Sequence, residues 1–134
     1  MTRFVIDPAT LLHLARHGLQ PHAAHHLVGP GPLRSHALEL LLRDVIAGEL
    51  DEREALQLHE RMTGIKVRLL SDRVSRRTAW TLAREFGWDD LVDAEYLAVT
   101  RLQADALIAT DSTLRARAEG VVRLARLDDL FTGG

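Results

Sequence analysis

Four acidic side chains, Asp7, Glu39, Asp93 and Asp111, stand where a carboxylate can do more than solvate a surface. Asp7 directly follows the apolar run TRFVI, and Asp111 closely follows ALIA. If both runs are parallel strands, both acids lie beyond carboxyl ends, where open α/β sheets build their sites. Asp93 falls in the first turn of a predicted helix and Glu39 in the middle of another. Each aspartate also has an ordinary structural role open to it. Asp7, followed by Pro8, can cap a helix that has proline at its first position. Asp111 can cap a helix beginning at Ser112, and Asp93, three residues after Asp90, can be the acid of a capping pair. No cap explains Glu39, whose structural role would be a surface ion pair with Arg43 four residues on. Capping and cation binding are compatible, so both readings of these acids stand.

Other reactive side chains are sparse. There is no cysteine, which excludes a disulfide framework and any thiolate metal site. His13, His17, His22, His25, His26 and His36 crowd the first third of the chain. Of these, His22, His25 and His26 have ligand types suited to zinc, but no fourth ligand is in view. His36 lies three residues before Glu39 on the same helical face. Lys66 is the only lysine; the other basic residues are arginines. A GC-rich genome explains that bias, and arginine also suits bidentate phosphate contacts. Arg73, Arg76, Arg77, Arg115 and Arg117 are candidate phosphate contacts or solvated helix faces. Trp80 and Trp88 are candidate stacking platforms or packing anchors.

The elements that must position these groups follow from periodicity. Thr2 to Ile6 reads as a buried strand and Asp7-Pro8 as a helix start, with the helix stopping at Gly18. Gln20 to Pro32, rich in histidine, proline and glycine, reads as a loop. An apolar stripe of Ala37, Leu38, Leu41, Leu42, Val45 and Ile46 predicts a helix over 33–47. Asp51 and Glu54 open a third helix carrying Ala55, Leu58 and Met62. Lys66 to Leu70 is a second strand, and Asp72 opens a helix ending at Gly87. Leu91 to Leu102, opened by Asp90, is apolar on most sides and therefore deeply packed. Ala106 to Ala109 is a third strand, Ser112 to Ala118 a short helix and Val121 to Leu124 a fourth strand. Asp128 to Gly134 reads as a fraying helical turn. Short apolar strands alternating with helices predict parallel pairing through right-handed crossovers.

With 134 residues, the chain is expected to form one domain. Hydrophobic residues make up 46%, enough to exclude intrinsic disorder. A formal charge of −2 excludes the broad basic footprint of a dedicated nucleic-acid binder, though a local basic surface remains open. No apolar run approaches the roughly 18 residues that cross a bilayer, and no signal peptide is apparent. A soluble, cytoplasmic protein is expected.

The order and context of the acids resemble a PIN-domain nuclease of the VapC toxin type along nearly the whole chain. FVIDPATLL resembles that family's opening strand with its first acid, and PLRSHALELLL the segment carrying its glutamate. GELDEREALQL is similar to its next helical start. REFGWDDLVDAEYLAVTRLQADALIATDSTL resembles its third acid, buried helix, strand and fourth acid. The resemblance implies a three-layer α/β/α domain over residues 1–134, with a central parallel sheet of four to five short strands. It implies an endoribonuclease site made of Asp7, Glu39, Asp93 and Asp111, with Asp7 and Asp93 as the most direct ligands of Mg2+ or Mn2+. Bare carboxylates sharing a pocket repel one another; a hard cation relieves this, and an all-oxygen set suits magnesium or manganese. No serine, cysteine or histidine nucleophile is then required.

By the same resemblance, the partners are RNA, a second copy of the chain and a small antitoxin covering the acidic pocket. Two places depart from the family pattern. A hydroxyl residue is usual two residues after the first acid, where Ala9 stands beside Thr10. Another is frequent two residues before the last acid, where Ala109 stands beside Thr110. Hydroxyl support is therefore expected to be shifted or weaker.

Competing assignments fit less well. A phosphoacceptor receiver needs an acidic pair after its first strand and a late lysine, yet Pro8 follows Asp7 and the lysine is Lys66. A haloacid-type phosphatase needs a second aspartate where Ala9 stands. A PIN-like module with an idle pocket, binding only a protein partner, and a non-toxin RNA-processing nuclease are the remaining alternatives.

Overall fold

A computed structural model describes residues 1–133. The chain runs β1 (Thr2–Ile6), α1 (Pro8–His17), β2 (His25–Pro30), α2 (Leu33–Ile46), α3 (Glu52–Thr63) and β3 (Arg68–Leu70). It continues through α4 (Arg73–Phe86), α5 (Val92–Gln103), β4 (Ala106–Ile108), α6 (Ser112–Ala118) and a 3-10 turn (Leu127–Phe131). The four strands form one parallel sheet in the order β3-β2-β1-β4. Helix α5 lies against β1, β2 and β4 and packs on α4, while α1, α2 and α3 pack on one another. The result is the expected α/β fold, a sheet between helical layers. No helix among the described residues is long and apolar enough to cross a membrane.

The central strand β1 and the helix α5 form the rigid middle. Val5 and Ile6 are fully buried between β2 and β4, as an apolar run covered on both faces must be. Ala94, Tyr96, Leu97, Ala98, Val99 and Thr100 of α5 are all buried, which matches a helix apolar on most sides. Four helices begin with the same local device. Asp7, Asp51, Asp72 and Asp111 each accept a hydrogen bond from the backbone N–H three residues on, satisfying a donor that the helix leaves open.

Several expectations are corrected. The segment expected as a loop from Gln20 to Pro32 contains β2, because pairing with β1 and β3 overrides its glycine and proline content. Pro30, which has no N–H to give, is the last residue of that strand, beyond its pairing with β1. The strand expected at Val121 to Leu124 reduces to one bridge, Leu124 beside Leu107. Leu107 donates to the Arg123 carbonyl and accepts from the Ala125 N–H, and pairing goes no further. The apolar stripe of α2 is only half buried. Ala37 and Leu41 face inward, whereas Leu38, Leu42 and Ile46 are exposed, Ile46 by 76%. Leu38 and Leu42 line an open apolar groove with Leu56 of α3. Helix α5 starts at Val92 rather than Leu91, and β3 covers only Arg68–Leu70 of its expected span. The C-terminal segment holds a 3-10 turn with Leu130 fully buried; Gly134 lies outside the described residues.

Candidate active site

The ends of β1 and β4 bring two of the acids side by side. Asp7 is fully buried at the end of β1, capping α1 through the Thr10 N–H at 2.9 Å. Its other oxygen, Oδ2, accepts the backbone N–H of Asp111 at 3.0 Å. Residues 104 positions apart are thus joined by one hydrogen bond. Asp111 in turn caps α6, its Oδ2 accepting from the Leu114 N–H at 2.9 Å. Both caps that the sequence allows are real, and both also serve to fix a carboxylate at the mouth of the sheet.

Asp93 does not cap its helix. Asp90 accepts from the Val92 N–H, which leaves the Asp93 carboxylate free to meet Arg117, whose Nη1 donates to Oδ2 at 3.0 Å. Burial pushes the Asp93 carboxyl above its ordinary range, and the nearby Asp111 adds to that push; Arg117 opposes it. Glu39 makes the expected surface pair with Arg43 at 3.1 Å, with both side chains more than half exposed. Yet Glu39 also borders the same cavity as the three aspartates. That cavity, about 350 Å³, is lined by Asp7, Glu39, Asp93 and Asp111 together with Arg43 and Arg117. All four acids singled out in the sequence therefore share one pocket.

They share it without forming a finished cage. Among the described residues, no three acidic or histidine side chains are gathered tightly enough to hold a metal ion as they stand. Two of the acids are engaged with arginines instead. The fit of a cation rests on Asp7. This carboxylate takes hydrogen bonds only from neutral donors, the Thr10 N–H and hydroxyl and the Asp111 N–H. Among the described residues it has no cationic partner. A buried carboxylate without counter-charge is costly, and a hard cation accepting oxygen ligands is its natural complement.

The hydroxyl support expected to be weakened is displaced by one residue on each side. Thr10 Oγ1 donates to Asp7 Oδ1 and lies 3.3 Å from Thr110 Oγ1. Thr10, beside Ala9, thus stands against the buried acid, and Thr110, beside Ala109, reaches the Thr10 hydroxyl instead. Tyr96 is a pocket residue the sequence reading missed. It sits one turn after Asp93 on α5, 1% exposed, with its hydroxyl 3.0 Å from His36 Nδ1. Burial, then the negative charge of Asp7, pushes its phenol well above the usual tyrosine range, so it stays protonated. The i, i+3 spacing from Asp93 was the signal available for it.

The remaining candidates separate cleanly. Arg115 is pinned to the Ala109 carbonyl by two hydrogen bonds, at 3.0 and 2.7 Å, and Arg76 donates to the Ser71 carbonyl. Trp80 is 61% exposed, whereas Trp88 packs against Phe86 and Arg117. The histidine-rich segment serves the C-terminus. The His25 ring meets the Thr132 carbonyl through Nε2, and His22 accepts the Ala24 N–H at 3.0 Å. These rings are not gathered as a zinc site.

No family model matches the chain, and no curated protein matches it. Among solved structures it is similar to the crystal structure of PAE2754 from Pyrobaculum aerophilum. The two are 20% identical, the match covers 96% of this chain and 93% of that one, and the TM-score is 0.67. At that identity the likeness speaks for the fold alone.

Proposed function

We propose that this chain is a Mg2+- or Mn2+-dependent endoribonuclease that hydrolyses RNA phosphodiester bonds at the pocket of Asp7, Glu39, Asp93 and Asp111. The observation that carries this reading is the meeting of those four acids, dispersed along the sequence, around one cavity beyond the ends of parallel strands. Asp7 and Asp93 would hold the ion most directly, with Asp111 and Glu39 completing the shell. When bound, such an ion offsets charge developing on a phosphate and acidifies a water for attack. The chain's own groups prepare that site. Thr10 and the Asp111 N–H hold both oxygens of Asp7 by hydrogen bonds, which orient the carboxylate before any ligand arrives. Tyr96, protonated and hydrogen-bonded to His36, lines the same pocket and offers it no further negative charge. The pocket holds no serine or cysteine nucleophile, so water is the nucleophile this set of residues supports.

Toxin status belongs to the same proposal, together with the antitoxin covering the pocket, the second copy of the chain and a cytoplasmic location. Its support is the resemblance in sequence. A short reading frame directly upstream and a dimeric mass in solution are the observations expected. An isolated gene would favour RNA processing instead.

The test is cleavage of single-stranded RNA by the purified chain, restored by magnesium and stopped by a chelator. Asp93→Asn is expected to lose that cleavage while retaining its folded spectrum. Cleavage by the variant at the original rate would overturn the assignment, and no cleavage by the wild type under any divalent ion would favour the idle-pocket alternative.

A further inference from the structure

Arg117 is held at the pocket in an unusual way. Its guanidinium donates once, from Nη1 to Asp93 Oδ2, and its Cζ lies 4.8 Å from the centroid of the Trp88 ring. Trp88 is itself stacked on Phe86, with centroids 5.2 Å apart and an interplanar angle of 23°. The chain reverses to allow this at Gly87, whose φ of 70° is a left-handed helix cap open to glycine at little cost. A guanidinium has five N–H donors, and no second protein acceptor takes one among the described residues. The group therefore has two anchors of different kinds, and only one of them is the acid.

That difference matters once a divalent ion competes for Asp93. The carboxylate can be given up to the ion while the flat face of the guanidinium stays on the indole, because cation–π attraction does not depend on Asp93. Arg117 would then remain at the rim with its donors released. Such a fork suits two oxygens of a phosphate. The other arginine of the pocket, Arg43, has no such second anchor; it sits 68% exposed in a solvated pair with Glu39.

Resting on the nuclease reading above, we propose that Arg117 is a substrate-binding residue positioned by Trp88. It exchanges Asp93 for a phosphate oxygen of RNA when a divalent ion takes that carboxylate. Ion and RNA then help each other bind, since each removes a partner the other would have to displace. The exchange also explains why a pocket rich in carboxylates can accept a polyanion: a cation already stands at its rim.

The experiment uses the full chain and two variants, Arg117→Gln and Trp88→Leu, with Arg117→Lys as the charge-preserving control. Ion uptake is measured by calorimetry with manganese alone. RNA binding is measured by anisotropy of a fluorescein-labelled single-stranded oligonucleotide, with calcium as the ion and the RNA checked to be intact. Arg117→Gln is expected to bind manganese more tightly, because a competitor for Asp93 is gone. It is expected to bind RNA on the order of tenfold more weakly, with the salt slope reduced by about 0.7, the loss of one phosphate contact. Arg117→Lys should recover most of the slope, and Trp88→Leu should weaken RNA binding without tightening manganese to the same degree.

A merely structural ion pair moves these readouts differently. Weaker manganese binding by Arg117→Gln would mean that Arg117 only supports Asp93, and would overturn the proposal. Unchanged RNA affinity would overturn it too, while leaving the nuclease reading in place if the wild type cleaves. A wild type that takes up neither ion nor RNA would overturn both.

Discussion

Replacing Asp7 by asparagine separates the two roles this side chain carries. Asparagine keeps one carbonyl oxygen, which can still cap α1 by accepting from the Thr10 N–H. Its amide nitrogen then faces the Asp111 N–H, which now donates to Asp7 Oδ2 at 3.0 Å. A buried donor left without an acceptor costs about 1–3 kcal/mol. Relief of repulsion from neighbouring carboxylates works the other way, so the expected net loss is at the lower end, about 1 kcal/mol. For a domain of 134 residues that is a fall in Tm of about 3–4 °C.

The second effect is larger and has the opposite sign in the wild type. An ion that binds only the folded chain stabilises it by about 2.7 kcal/mol at a hundredfold excess over its Kd. That corresponds to a rise in Tm of about 10 °C for the wild type and none for Asp7→Asn. Thermal unfolding with and without magnesium, followed by circular dichroism, reads both. An Asp7→Asn protein whose Tm rises with magnesium as far as the wild type's would refute the reasoning, whatever its activity.

Two further outcomes are expected. Thr10→Val removes the hydroxyl that stands between Asp7 and Thr110, and should raise the magnesium concentration for half-maximal cleavage by about tenfold with kcat at saturating ion little changed; an unchanged magnesium dependence would show that the displaced hydroxyl does not support the acid. Asp72 offers a test of pH dependence away from the pocket. Hydrogen bonds from the Ser75 backbone and side chain hold its carboxyl below the ordinary aspartate range. Because the folded value is the lower one, its contribution is present above the unfolded value of about 3.9 and is lost as pH falls through the folded value. Asp72→Asn keeps a good cap but cannot titrate, so denaturant midpoints should fall less steeply below pH 4 than in the wild type. Equal slopes would remove Asp72 from the acid response.

Much of this molecule was readable from short stretches of chain. The caps at Asp7, Asp51, Asp72 and Asp111 and the stop at Gly87 are visible because each is settled within three or four residues. The run that makes α5 is visible because burial on most sides leaves few polar positions. The alternation of strands and helices then implies a parallel sheet, and with it the place where Asp7 and Asp111 must emerge.

What the chain could not reveal locally is which neighbours each segment meets. Residues 25–30 carry loop chemistry and become a strand because β1 and β3 offer two rows of hydrogen bonds at once. Val121 to Leu124 has strand chemistry and makes one bridge, for want of further partners. Leu38, Leu42 and Ile46 continue a helical stripe past the limit of the core. The resemblance in order and context, more than local chemistry, brought Asp93 and Glu39 into view, and only the packing of α6 on α5 set Arg117 against Asp93. Local hydrogen bonds and apolar periodicity are properties of the sequence; the partner of a strand edge or a charge is a property of the folded whole, since it depends on residues a hundred positions away.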